Sequence, residues 1–203
     1  MSRLPAVPDR SRFSGEELEA FDAVAERVAG VTTGGHAYYG AMLNSPMFAA
    51  ALSNMGRTVR TKGSYTPAQR EWVDMVLSRD FDYTGVLLHH VPDALAVGVR
   101  LEGIEAILAG RDDDLDDEER ELATYTRQVV SGTVTDESWQ AIHDRLGLEA
   151  TIEYTTFILF LQLVLRLHQA LDVPQAPPEE LEKMMRDFRD GTRALPDPAA
   201  GLR

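Results

Sequence analysis

The sequence predicts an all-α fold in one domain. Apolar residues recur at helical spacing along most of the chain, and alternating strand patterns are almost absent. The helical stretches are punctuated by caps, glycines and prolines. No internal repeat divides the 203 residues. A chain of this length buries roughly 70% of its unfolded surface and needs no disulfide to hold it.

The elements follow in order. Residues 1–13 hold two prolines and no apolar run, and read as an N-terminal segment. Ser14 with Glu17 forms a capping-box pattern opening a helix that ends near Gly30. "TTGGHAYYGAMLNSP" starts with a glycine break and continues into a short helix, and Pro46 suits the first turn of the next one. Thr66-Pro67 with Gln69 marks a further start, for a helix to about Arg79. "FDYTGVLLHHVPDALAVGV" reads as a helix stopping at Gly98, and "EGIEAILAG" as a short one ending at Gly110. "RDDDLDDEER" lacks the spacing of a calcium loop, so its carboxylates are expected to cap the next helix. Helices near 116–131, 136–146, 151–171 and 178–190 complete the set. The expected organisation is a helical domain over 14–175, followed by a C-terminal helix and tail over 176–203.

Composition narrows the function. The chain has no cysteine, which excludes disulfides, thiolate metal sites, cysteine nucleophiles and dithiol redox chemistry, and fits a cytoplasmic protein. A formal net charge of −13 disfavours nucleic acid and anionic membranes as partners. The N-terminus does not read as a signal peptide. The most apolar run, Thr151 to Leu167, contains Glu153, Gln162 and Arg166 and fits a core helix better than a membrane span. Glu153 is expected to make a structural contact between helices or subunits.

Several stretches together resemble the carboxymuconolactone decarboxylase and AhpD-like alkylhydroperoxidase superfamily. They are "GAMLNSPMFAAALSNMGRTVR", "YTPAQREW", "HVPDALAVGV", "LDDEERELATYTRQVVSGTVTDESWQAI" and "IEYTTFILFLQLVLRLHQALDVP". Their order covers residues 30 to 174. The peroxidase branch of that superfamily carries a glutamate, then a Cys-x-x-Cys motif starting twelve residues later, then a histidine four residues after the second cysteine. Here Glu71 and His90 keep that spacing, while Tyr83 and Val86 stand at the cysteine positions. The resemblance thus implies the fold and argues against thiol peroxidase activity. The decarboxylase branch needs neither thiols nor a cofactor. It implies a cofactor-independent lyase or isomerase acting on a small carbonyl-containing carboxylic acid or lactone. It also implies a homo-oligomer built on trimers. In place of that branch's usual aromatic-acidic pair stands "DYTGVLL". The alternative is a ligand-binding or assembly protein that kept the fold after losing the redox cysteines.

Helical spacing sorts the candidate residues. Tyr83, Val86, Leu87, His90, Ala94 and Val97 share a face, and His89 lies about 100° around the helix, near Asp82, Gly85 and Asp93. His90 is expected in the pocket as general acid or base, held neutral by burial. Glu71 is expected to orient it, although a second-turn glutamate also suits the helix dipole. Tyr83 is expected to donate a hydrogen bond to substrate, or else to pack as a core aromatic. His89 pairs with Asp93 at i+4 on the wetter side and stands as reserve acid–base group. Pro92 removes the hydrogen bond to the Leu88 carbonyl, which could then fix a histidine tautomer. His36, Tyr38 and Tyr39 are read as a helix start with aromatic packing. His143 and His168 are read on helix surfaces or ends, without a role. His89, His90 and Glu71 are not expected to bind metal, because adjacent helical histidines diverge.

Overall fold

In the computed structural model the described residues are Arg3, 7–29 and 35–197. Among them the regular elements are all helical: α1 (Gly15–Ala29), α2 (Gly35–Met42), α3 (Pro46–Thr61), α4 (Pro67–Asp80), α5 (Thr84–Ala96), α6 (Leu101–Ala109), α7 (Asp117–Ser131), α8 (Asp136–Leu146), α9 (Leu148–Ala170) and α10 (Pro178–Arg189).

α4 is the axis of the fold. It packs against α5, α6, α7 and α9, and every residue from Arg70 to Ser78 is buried. A helix surrounded on all sides should be apolar all round. α4 instead buries Arg70, Glu71 and Asp74 among Trp72, Val73, Met75, Val76 and Leu77. Its start is fixed as the sequence suggests. Thr66 accepts from the Gln69 backbone N–H, and the Gln69 side chain accepts from the Thr66 N–H. The acidic run caps α7 in the same way, with Asp116 and Glu119 reciprocally bonded.

α5 begins later than its apolar pattern suggests. Phe81–Tyr83 form a turn, with Asp82 in the left-handed region (φ 58°), a conformation that aspartate tolerates. This turn makes α4 and α5 a tight helical hairpin. Pro92 lies inside α5, which continues to Ala96.

The core collects side chains from α3 to α10, and a smaller cluster around Phe21, Val24, Leu43 and Ala49 joins α1 to the ends of α2 and α3. α9 is long and apolar enough to cross a bilayer by length and composition. Tyr154, Phe157, Ile158, Leu161 and Leu165 are nevertheless all part of the core. Glu153 on this helix accepts the Ser64 backbone N–H at 2.7 Å, tying α9 to the α3–α4 loop. The C-terminal helix is docked: α10 packs on α5, and Met184 and Met185 enter the core.

Candidate active site

A cavity of about 540 Å³ opens between the α4–α5 hairpin, α3, α9 and the segment leading into α10. That volume suits a small-molecule ligand. Its walls are largely apolar and aromatic, including Leu52, Val86, Phe160, Leu161 and Val164. Gly56 on α3 admits the Phe160 ring to 3.0 Å from where a Cβ would stand, so a side chain there would displace part of the wall.

One wall is ionic. Glu71, 1% exposed, places Oε2 2.8 Å from Nδ1 of His90. Its Oε1 accepts from Arg70 Nε and Nη2 at 3.0 and 2.8 Å. Asp74, fully buried one turn further along α4, holds Arg60 of α3 through two bonds and lies 3.7 Å from His90 Nδ1. Arg70 also donates to the Arg60 backbone carbonyl, fastening the end of α3 to α4. Glu71 and Asp74 stand three residues apart and therefore share a face, which α5 covers with His90.

This network reverses the expectation of a neutral His90. Burial pushes its pKa down, but Asp74 and Glu71 outweigh burial, and the net shift is upward. Glu71 moves the other way. Burial raises its pKa, while His90, Arg60 and Arg70 pull it well below the ordinary value. Both shifts favour the charged forms, so the contact favours an imidazolium facing a carboxylate. The His90 Nδ1 is taken by Glu71, which leaves Nε2 for a ligand. Glu71, rather than the Leu88 carbonyl, engages Nδ1 and fixes the ring.

Glu71, Asp74 and His90 place one ligand atom each within 4.8 Å of one another, a geometry that could suit a cation. Arg60 and Arg70 already supply that positive charge, matching the two carboxylates before His90 is counted. The donor set fits an internal ion network better than a metal.

The cavity also takes in residues that helical counting set apart. His89 lies in its wall beside His90, so the two faces of α5 do not separate a pocket histidine from a solvent one. Asp93 is within electrostatic reach of both rings. Tyr83 lines the cavity from the α4–α5 turn rather than from the helix, and it bonds to Gln175. Burial raises its phenol to about 12, so it stays protonated and able to donate. Tyr38 and Tyr39 of α2 are lining residues, while the side chain of His36 lies outside the described residues.

His168 is the residue that sequence reasoning passed over. It is 9% exposed and lines the cavity from α9, its ring stacked on Tyr38 at 4.1 Å and edge-on to Tyr83 at 5.2 Å. Leu161, Leu165 and His168 follow i, i+4, i+7, so the signal for an inward position was present. Asp74, an acid within the apolar run "WVDMVL" and one turn from Glu71, was a comparable signal.

No family model and no curated protein matches the chain. Among solved structures, it is similar to the alkylhydroperoxidase AhpD core of an uncharacterized peroxidase-related protein from Ralstonia eutropha JMP134. The match has a TM-score of 0.63 at 14% identity and covers 87% of this chain and 93% of that one. The hairpin that presents Glu71 to His90 is thus set within an AhpD-like all-α fold.

Proposed function

We propose that the protein is a cofactor-independent lyase or isomerase that acts on a small carbonyl-containing carboxylic acid or lactone by proton transfer. The observation that carries this reading is the 2.8 Å contact between His90 Nδ1 and Glu71 in the wall of a ligand-sized cavity. In a decarboxylation, the bond to the carboxyl carbon breaks and its electron pair enters the adjacent carbonyl as an enolate. Tyr83 donates a hydrogen bond to the enolate oxygen. His90 delivers the Nε2 proton to carbon, and water restores that proton. Glu71 holds the ring in place and stabilises its charged form. His89 is the reserve group beside it. Arg27, at the cavity edge, is held by Ser53 and has no carboxylate partner among the described residues, so it can draw in an acidic substrate.

The test is proton NMR in D₂O with a panel of small β-keto acids and unsaturated carboxylated γ-lactones. Loss of substrate or deuterium uptake at carbon with wild type, abolished in His90→Ala, is the expected result. Tight binding of panel members with no turnover would instead establish a ligand-binding protein.

We also propose a cytoplasmic homo-oligomer. Leu148, Ile152, Leu159 and Leu163 form an exposed apolar stripe on α9, and Phe48 and Met55 are exposed on the adjoining α3. A second copy covering this face would remove it from water. Light scattering at micromolar concentration checks this, and a monomer would refute it.

A further inference from the structure

The end of the cavity opposite in character to the ionic wall is built around His168, and nothing in the mechanism above uses it. Its Nδ1 lies 2.8 Å from the Val164 carbonyl, one turn back on α9. A carbonyl only accepts, so Nδ1 carries the hydrogen and Nε2 carries the lone pair. Burial lowers the ring's pKa against the weaker opposing effect of the Val164 carbonyl, which favours the neutral ring. Tyr38 stacked on one face and Tyr83 against its edge fix the plane of the imidazole. Among the described residues the ring's one hydrogen bond is the one at Nδ1, and the ring belongs to the cavity wall, so Nε2 is open to the cavity. An acceptor open to a cavity can be met by a ligand that donates to it. Tyr38 and Tyr83 make the surface beside His168 aromatic.

We propose that this end of the cavity is a binding subsite for a hydroxylated ring, of the phenol or cyclic enol class, whose O–H donates to Nε2 of His168. The proposal deepens the reading of the same cavity as an active site by naming a feature of its substrate: an enolic or phenolic hydroxyl on a ring. Recognition at His168 needs no proton transfer at His90, so binding can succeed even where catalysis fails. A carboxylate or ether at that position leaves Nε2 facing a second acceptor and is rejected.

The experiment uses phenol and anisole as probes on the full chain. Binding is followed by titration, and the imidazole nitrogens are followed by ¹⁵N-detected NMR of histidine-labelled protein. Phenol is expected to bind about 5- to 10-fold tighter than anisole, the usual return on one neutral hydrogen bond. His168→Phe keeps a ring against Tyr38 but removes the acceptor, and should erase that preference. His90→Asn should leave it intact. In wild type, saturation with phenol should move the His168 Nε2 resonance upfield and leave its Nδ1 nearly unchanged, a readout that does not depend on the variant folding. Equal affinity for the two probes, a preference that survives in His168→Phe, or a phenol-induced shift confined to His90 would overturn the proposal. Phenol selectivity through His168 together with an inert keto-acid panel would sustain this subsite while refuting the catalytic reading.

Discussion

Two histidines look into one cavity from opposed surroundings. His90 is embedded in charge, with Glu71, Asp74 and Arg60 around it, and its pKa is raised. His168 is embedded in rings and a backbone carbonyl, and its pKa is lowered. Both are largely buried, so burial alone does not decide protonation. The difference is whether desolvation is met by carboxylates or by aromatic faces. One wall of the cavity thus favours a protonated imidazole and the other a neutral one.

Removing the charge around His90 is the strongest way to break this comparison. Glu71→Ala leaves His90 and Arg70 facing each other without their shared carboxylate. Breaking a buried ion pair from one side costs about 3–5 kcal/mol. Urea unfolding should show that loss as a lower midpoint with an unchanged slope.

His90→Ala tests the chemistry rather than the fold. Once a substrate is in hand, turnover should fall roughly 100-fold or more, as expected for a lost general acid. His89→Ala should cost much less. Circular dichroism and light scattering on both variants must match wild type for the comparison to stand. A sharp loss in His89→Ala with full activity in His90→Ala would transfer the catalytic role to His89.

The two rings should also pull stability in opposite directions with pH. His90 has a raised folded pKa, so its contribution is complete below the ordinary histidine value of 6.5 and is lost as pH rises through the folded value. His168 has a lowered folded pKa, so stability is withdrawn as pH falls from 6.5 toward the folded value. Glu71, also lowered, sustains its contribution above the ordinary carboxylate value of 4.5 and loses it as pH falls through the folded value. Denaturation across pH should therefore give a maximum near 6.5. His90→Asn should flatten the alkaline limb, and His168→Phe should flatten the limb just below neutrality.

Arg27→Met should have the smallest effect, because this residue lies at the edge of both environments. It should raise KM for an acidic substrate several-fold and leave kcat nearly unchanged. A fall in kcat instead would bring Arg27 into the reacting group.

Much of the fold was legible because local signals and packing agree. Thr66-Pro67-Ala68-Gln69 starts α4 through its own side chains, and Asp116 starts α7 likewise. The pairing of Glu71 with His90 was legible only through spacing shared with a known superfamily, since periodicity alone does not say which helices touch. His168 was missed because a histidine near a helix end also fits a solvated position. Only the approach of Tyr38 from α2 and Tyr83 from the α4–α5 turn makes it part of a wall. His89 reaches the cavity together with His90 because α5 lines it broadly, through Gly85, Val86, Leu88, His89 and His90. The protonation of His90 depends on Arg60 and Asp74, which no short-range pattern connects to it.

The segment after α9 gives the cavity an order of assembly. Val173, Pro174, Gln175, Ala176 and Glu180 form part of its wall, and every other lining residue comes before Gln169 in the chain. Gln175 accepts the Gly85 N–H at 3.2 Å and bonds to Tyr83, so it fastens the start of α5. During synthesis these residues leave the ribosome about 0.3–2 s after His168 and about 4–18 s after His90, at ordinary elongation rates of ~5–20 residues per second. A nascent chain that has already paired Glu71 with His90 still has an open side. The wall after α9 is therefore the last part of this cavity to be made, and the first that cleavage between α9 and α10 would loosen.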